Sequence, residues 1–310
     1  MGLLVGGTWV PPGALLYALL HPHAHGVVAI ILWQLRLPRV AVAALVGAAL
    51  AIAGALLQGL LRNPLVDPYL TGTSAGAAAA IALAVALGLA APLYPAIGFV
   101  AGLATAFLVA ALARRGSGLD ANRLILAGIS ISALFSALVA LVLARTHTAD
   151  EAEAILAWLA GSMAGRGWHD LAMALPYTIV GTALAFAAAP AMNALRIGEL
   201  RAHAVGVNVA RTQWVVLAAA SLLTASAVAL AGIIGFLGLI VPHLARRVVG
   251  ADVRTVVVAS ALLGVALCTL ADAVSRTIVA PSELPIGVLL AFVGVPTFLV
   301  LYLRSKERRT

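Results

Sequence analysis

MNALRIGELRAHAVGVNVARTQ, Met192 to Gln213, decides how the rest of the chain is read. It is the longest well-charged interruption in an otherwise apolar sequence. Leu171–Ala191 before it and Trp214–Ala245 after it hold no Asp, Glu, Lys or Arg. A bilayer core demands uncharged flanks of that length, so the segment is a loop between two spans. It carries Arg196, Arg201 and Arg211 against one acid, Glu199. Short Arg-rich loops stay in the cytoplasm. Its central part, Glu199–Gly206, predicts a short helix. Glu199 suits the positive end of the helix dipole, and Gly206 allows a sharp turn after the last residue. Composition alone leaves two readings open: a solvated connector, or a handle by which a cytoplasmic partner moves the membrane part.

The chain has 310 residues, of which 63% are apolar and only 10% charged. Soluble domains are about half apolar, so a polytopic membrane protein is expected. The apolar runs are continuous rather than alternating, which argues against a β-barrel and predicts helices. Abundant Ala and Gly within the runs predict close helix packing. The net charge of +8 reflects loop arginines near lipid headgroups and carries no signal for nucleic acid. Cys268 is the only cysteine and lies in a span, so neither a disulfide framework nor a thiolate metal site is available. Lys306 is the only lysine and sits in the C-terminal tail. A phosphate-binding P-loop needs a lysine beside a Gly-rich turn, so any ATP driving this chain binds elsewhere.

In chain order, Met1–Leu35 lacks the basic start of a signal peptide. Pro11 and Pro12 break its first apolar run, and Val27–Leu35 is too short to cross a bilayer. His21, His23 and His25 alternate in HPHAH. Pro22 prevents a helix that would align them, which favours an exposed loop over a metal or haem contact. Spans are predicted at Val40–Leu61, at Tyr69–Ala113 (split in two by Pro92 and Pro95), and at Leu124–Ala144. A polar stretch, His147–Glu153, and a short Trp158–Gly165 piece follow. Further spans are predicted at Leu171–Ala191 and Trp214–Leu230. A Gly-rich corner, AGIIGFLG, leads into a short helix ending at Pro242–His243. Thr255–Asp272 and Ile286–Leu303 complete nine. With Met192–Gln213 inside, alternation places 14 of the 19 Lys and Arg in the cytoplasm. Arg36, Arg39, Arg145, Arg166 and Arg276 remain outside. That asymmetry supports the topology and a cytoplasmic C-terminus.

Five stretches carry a family resemblance: Leu35–Gly76, Arg123–Ile129 (RLILAGI), Gly198–Val207 (GELRAHAVGV), Val228–Arg254 (VALAGIIGFLGLIVPHLARRVVGADVR) and Glu283–Phe298 (ELPIGVLLAFVGVPTF). Together they resemble the permease subunit of the FecCD/BtuC-like, binding-protein-dependent ABC importers for iron-siderophores, haem and vitamin B12. The resemblance covers nearly all of the chain from Leu35 onward. It implies an all-α helical bundle of the type II importer kind in the bacterial inner membrane. It also implies a permease homodimer, two cytoplasmic ATPase subunits that bind ATP and Mg, and a periplasmic binding protein. Family members usually have ten spans, so residues 1–35 read as an outer segment whose first helix is missing, Met1–Gly6 resembling its tail.

Residue by residue, Arg36, Arg39 and Arg276 match the family's outer arginines, on which the binding protein docks. A guanidinium fork suits a partner's carboxylates. The competing uses are snorkelling to lipid headgroups and, for Arg276, an ion pair with Asp272 four residues earlier. Asn63, Pro64 and Leu65 match the inner gate, as do Ala121 and Asn122, where the family often has small hydroxyl residues. Asn63–Pro64 would end a helix in any case. Arg196, Gly198, Glu199, Arg201, Ala202, His203 and Gly206, within residues 193–213, match the loop that couples to the ATPase. His243 has no partner at metal spacing and reads as structural. Few ionisable residues lie within the spans, only Asp272 near one end. That disfavours the alternative of a secondary transporter driven by an ion gradient. No nucleophile and base converge for an intramembrane enzyme.

Overall fold

The computed structural model describes residues 11–21, 26–116, 118–146, 148–279 and 282–307. Met1–Gly6, Pro22, His23, His25 and His147, which entered the reading above, lie outside these residues, as do Arg308 and Arg309 of the C-terminal tail. Thirteen α-helices are described. In order they are α1 (Pro12–Leu20), α2 (Val27–Ile30), α3 (Leu37–Leu60), α4 (Thr73–Ala86), α5 (Tyr94–Leu112), α6 (Ala121–Leu143), α7 (Ala149–Ala160), α8 (Trp168–Arg196), α9 (Glu199–Ala204), α10 (Val209–Ala231), α11 (Leu237–Val249), α12 (Val253–Ser275) and α13 (Ile286–Glu307). A two-residue antiparallel hairpin, β1 (Arg114–Arg115) with β2 (Gly118–Leu119), joins α5 to α6.

Six described stretches are long and apolar enough to cross a bilayer: Val27–Leu60, Ala91–Leu112, Ala121–Leu143, Trp168–Arg196, Val209–Ala231 and Val253–Ser275. Thr73–Ala86 and Ile286–Leu299 are shorter apolar helices. Four boundaries correct the sequence reading. Val27–Leu35 is no separate short piece, because α2 runs through a π-helical turn (Ile31–Arg36) straight into α3. Residues 148–160 are not a polar stretch followed by a short piece. The Thr148 hydroxyl caps Glu151 N–H at 3.3 Å, and α7 runs from Ala149 to Ala160, where Gly161 (φ 73°) ends it. α8 continues through Arg196, so Asn193–Arg196 is its last turn rather than loop.

The fourth correction concerns Pro242. Proline lacks the N–H that bonds the carbonyl four residues back, which suggested a helix end. Here α11 continues to Val249. The freed Gly238 carbonyl is taken instead by Gln58 Nε2 of α3 at 3.2 Å. In lipid every backbone group needs such a partner.

α3 is the centre of the bundle and packs against α8, α10, α11 and α12. Glycines permit the approach. A Cβ on Gly47 would lie 2.2 Å from the Gly264 carbonyl oxygen of α12, and one on Gly54 would lie 1.8 Å from the Gly238 oxygen of α11. A second cluster joins α4, α6 and α7 through Ile81, Val139 and Trp158. The connection after α3 is pinned across the bundle. Tyr69 Oη accepts from Ile234 N–H at 2.8 Å and donates to Ile234 O at 3.0 Å.

Candidate functional site

Loops predicted to share a side come together at one end. Arg62 and Pro64 after α3, Arg196 ending α8, Arg246 of α11 and Ala251 before α12 line one cleft. Arg115, Leu119 and Asp120 face Glu199, His203, Asn208 and Gln213 across another. At the opposite end Arg39 reaches Asp272 and Glu283. These loops sort to two opposite ends of the bundle.

At the inner end, α9 is the short helix expected from ELRAHA. Gly198 (φ 114°) starts it and Gly206 (φ 83°) turns the chain after it, both in conformations that favour glycine. Ala202 is buried against Leu195 and Val209, seating the helix between α8 and α10. Glu199 lies in its first turn, Arg201 and His203 in its last. Leu200, which the sequence reading passed over, is 89% exposed. Its signal was present: an apolar residue between Glu199 and Arg201, in a loop with no core to enter. Arg196, just before α9, donates to the Ala251 carbonyl.

Of the expected inner-gate residues, Asn63 closes a tight turn, its Oδ1 accepting from Leu65 N–H at 2.9 Å. Pro64 and Leu65 are exposed. Ala121 and Asn122 are exposed in the first turn of α6, behind the N-cap Asp120, whose carboxylate accepts from Arg123 N–H at 3.0 Å. Among the described residues no hydrogen bond or ion pair joins the two stretches. The hairpin before Asp120 is tied to α10 instead, with Leu119 N–H donating to Gln213 Oε1 at 2.8 Å.

At the outer end two of the three expected arginines converge on one acid. Arg39 Nε lies 2.9 Å from Asp272 Oδ1, and Arg276 Nη2 lies 3.0 Å from Asp272 Oδ2. Arg39 also closes a two-pronged contact on Glu283 at 2.9 and 2.8 Å. Arg36 lies close enough to Arg276 for their charges to repel. Arg36, Arg276 and Asp272 are all buried. The Asp272–Arg276 ion pair weighed as a competing use is therefore present. Arg39 and Arg276 already hold carboxylates of their own chain.

A cavity of about 760 Å³ opens between α4, α6 and the Gly-rich corner. Ser74, Ser132 and Ser136 supply hydroxyls to a mostly apolar wall, and Asp67 and Phe236 close it. Phe236 holds φ 67°, unusual for a non-glycine residue. The Asp67 carboxylate accepts from the backbone of Tyr69 and of Phe236, which fixes that turn.

Comparison with known proteins bears on what this two-ended bundle is. Residues 1–304 match the family model described as the FecCD transport family. The chain belongs to the FecCD transport family. It is a transmembrane permease subunit of the FecCD/BtuC-like ABC importers, a multi-pass protein of the bacterial inner membrane. A cobalamin import system permease protein, BtuC, of Halobacterium salinarum is 41% identical over 90% of this chain and 75% of its own length. A hemin transport system permease protein, HmuU, of Yersinia pestis is 39% identical over 89% of this chain and 84% of its own. A solved metal-chelate type ABC transporter in an inward-facing conformation superposes with a TM-score of 0.84 at 32% identity, over 94% of this chain and 96% of that one.

Proposed function

We propose that two copies of this FecCD-family permease enclose a central pathway that takes an iron chelate (haem or a ferric siderophore) or cobalamin from a periplasmic binding protein to the cytoplasm. Two cytoplasmic ATPase subunits bind ATP and Mg and supply the energy, and the permease itself binds no cofactor. The observation that carries the reading is α9. It is a six-residue helix set between two glycine turns, with Leu200 89% exposed, seated on the ends of α8 and α10. An exposed apolar knob flanked by Glu199 and Arg201 suits a groove on a soluble partner. Movement of α9 passes through α10 and Gln213 to Asp120, and so to Ala121 and Asn122; the Asn63–Leu65 turn forms the second part of the gate. The serine-lined cavity faces the pathway.

Docking on Arg36, Arg39 and Arg276 then works by exchange. Glu283 is the exposed partner in the outer cluster, with a side chain 41% accessible. A carboxylate from the binding protein replaces it on Arg39, while Asp272 stays buried between Arg39 and Arg276.

The test is ATPase activity of the permease reconstituted with its ATPase and loaded binding protein. Leu200→Asp is expected to abolish association with the ATPase and the stimulated hydrolysis while the permease stays monodisperse. Unchanged stimulation removes α9 as the handle. Substrate uptake that follows an ion gradient without ATP installs the secondary-transporter reading instead.

A further inference from the structure

The cleft at the inner end of α3 has a property beyond the gating and coupling roles expected of Pro64 and Arg196. Among the described residues three arginines line it and no acid does. Arg62 follows α3, Arg196 ends α8 and Arg246 lies in the last turn of α11, so three separate elements deliver them to one volume of about 280 Å³. The partners each one has are neutral. Arg62 Nη2 donates to Leu195 O at 2.6 Å, Arg196 to Ala251 O and Arg246 to Gln58 Oε1. Among the described residues none of the three lies within 4.0 Å of a carboxylate. Each guanidinium has five N–H donors, so most remain uncommitted. Arg196 and Arg246 are close enough for their charges to oppose one another. Arg62 also holds φ 51°, sparsely populated for a side-chain-bearing residue. Convergent like charges at one end of the bundle, with no carboxylate within 4.0 Å among the described residues, call for an anion from outside the chain.

We infer that this cleft binds the phosphate of an anionic phospholipid headgroup from the cytoplasmic leaflet. Guanidinium forks match phosphate oxygens two at a time. Basic pockets between helix ends on the cytoplasmic side suit acidic headgroups. A lipid fits better than a free anion because most of the rest of the lining is apolar, with Ala55, Pro64, Val253 and Val256 beside the arginines. A headgroup held there joins the ends of α3, α8 and α11, next to Pro64 of the expected gate and one turn before α9. Occupancy therefore sets how firmly the gate and the coupling element are tied.

The test uses purified permease in phosphatidylcholine nanodiscs containing phosphatidylglycerol, with native mass spectrometry reading the lipid retained. Wild type is expected to retain one phosphatidylglycerol per protomer. The R62Q/R196Q/R246Q variant is expected to retain at least tenfold less. R114Q/R123Q/R211Q removes as much charge from the same end, outside the cleft, and is expected to retain it. Equal loss in both variants, or retention in the first, overturns the site. Arg246→Lys keeps the charge and loses the fork, so it guards against misfolding of the triple variant; it is expected to weaken retention several-fold, and unchanged retention overturns the fork argument. In pure phosphatidylcholine, millimolar inorganic phosphate is expected to leave the melting temperature unchanged. A rise seen in wild type but not in R62Q/R196Q/R246Q assigns the cleft to a free anion and overturns the lipid. No readout involves the ATPase, so these outcomes are independent of the importer reading.

Discussion

Arg39 of α3 and Asp272 of α12 meet at 2.9 Å with Asp272 almost fully buried, although 233 residues separate them. The same carboxylate holds Arg276, so its removal takes the shared acid from two guanidinium groups at the outer end. Breaking a buried pair from one side costs about 3–5 kcal/mol. Asp272→Asn should therefore lower stability in detergent by about that amount. Glu283→Gln removes a partly exposed partner and should cost no more than about 1 kcal/mol. Chemical-denaturant midpoints of the two variants give the order; an equal or larger effect at Glu283 would refute the assignment of Asp272 as the hub.

Gly54 predicts a different kind of failure. Its missing Cβ is what lets α11 approach α3, since an added carbon would lie 1.8 Å from the Gly238 oxygen. That atom is backbone and cannot swing aside. Overpacking a tight core typically costs about 1–3 kcal/mol, and Gly54→Val should reach or exceed the upper figure. Gly235→Ala is the control, because nothing lies within 4 Å of its Cβ position. Thermal midpoints by intrinsic fluorescence should separate the two, and a silent Gly54→Val would mean that the helices do not touch there.

These cases mark what the sequence discloses. Long uncharged runs made the apolar helices legible, because the bilayer imposes such runs on local composition. ELRAHAVG disclosed α9 through a charge at one end and a glycine at the other. The end of α11 was misread because Pro242 is a local signal, whereas its repair by Gln58 comes from 180 residues away in the chain. The arginine cleft was illegible for the same reason. Arg62, Arg196 and Arg246 look like three unrelated loop charges until the bundle places them together. The outer arginines were found by resemblance, yet their in-chain carboxylates depend on α3 and α12 crossing, and only Arg276–Asp272 lay within helical reach.

Gly206 tests whether the α9 turn depends on backbone conformation alone. It holds φ 83° with open space where a Cβ would project, so substitution brings strain without a clash. A side chain in left-handed geometry costs about 1–2 kcal/mol, and asparagine tolerates it better than alanine. Gly206→Ala should thus lower ATPase stimulation more than Gly206→Asn, with little change in the melting temperature of the membrane part. Equal effects would place the role of Gly206 in a close contact with the partner instead.

Acid should weaken the inner end through its helix caps. Asp252 accepts from Thr255 N–H at 3.0 Å and from Asn193 Nδ2 at 2.6 Å, and Asp120 accepts from Arg123 N–H at 3.0 Å. Hydrogen bonds to the charged form, the backbone donors foremost, hold both carboxyls below the usual carboxylate value. A folded pKa below the unfolded one means the stabilisation is fully present above about pH 4 and is lost as pH falls through the folded value. Melting temperature measured from pH 6 down to pH 3 should therefore decline at the acid end. In Asp120→Asn/Asp252→Asn the decline should be shallower, because asparagine still caps a helix but does not titrate. An identical acid slope in the double variant would show that the caps do not contribute to it.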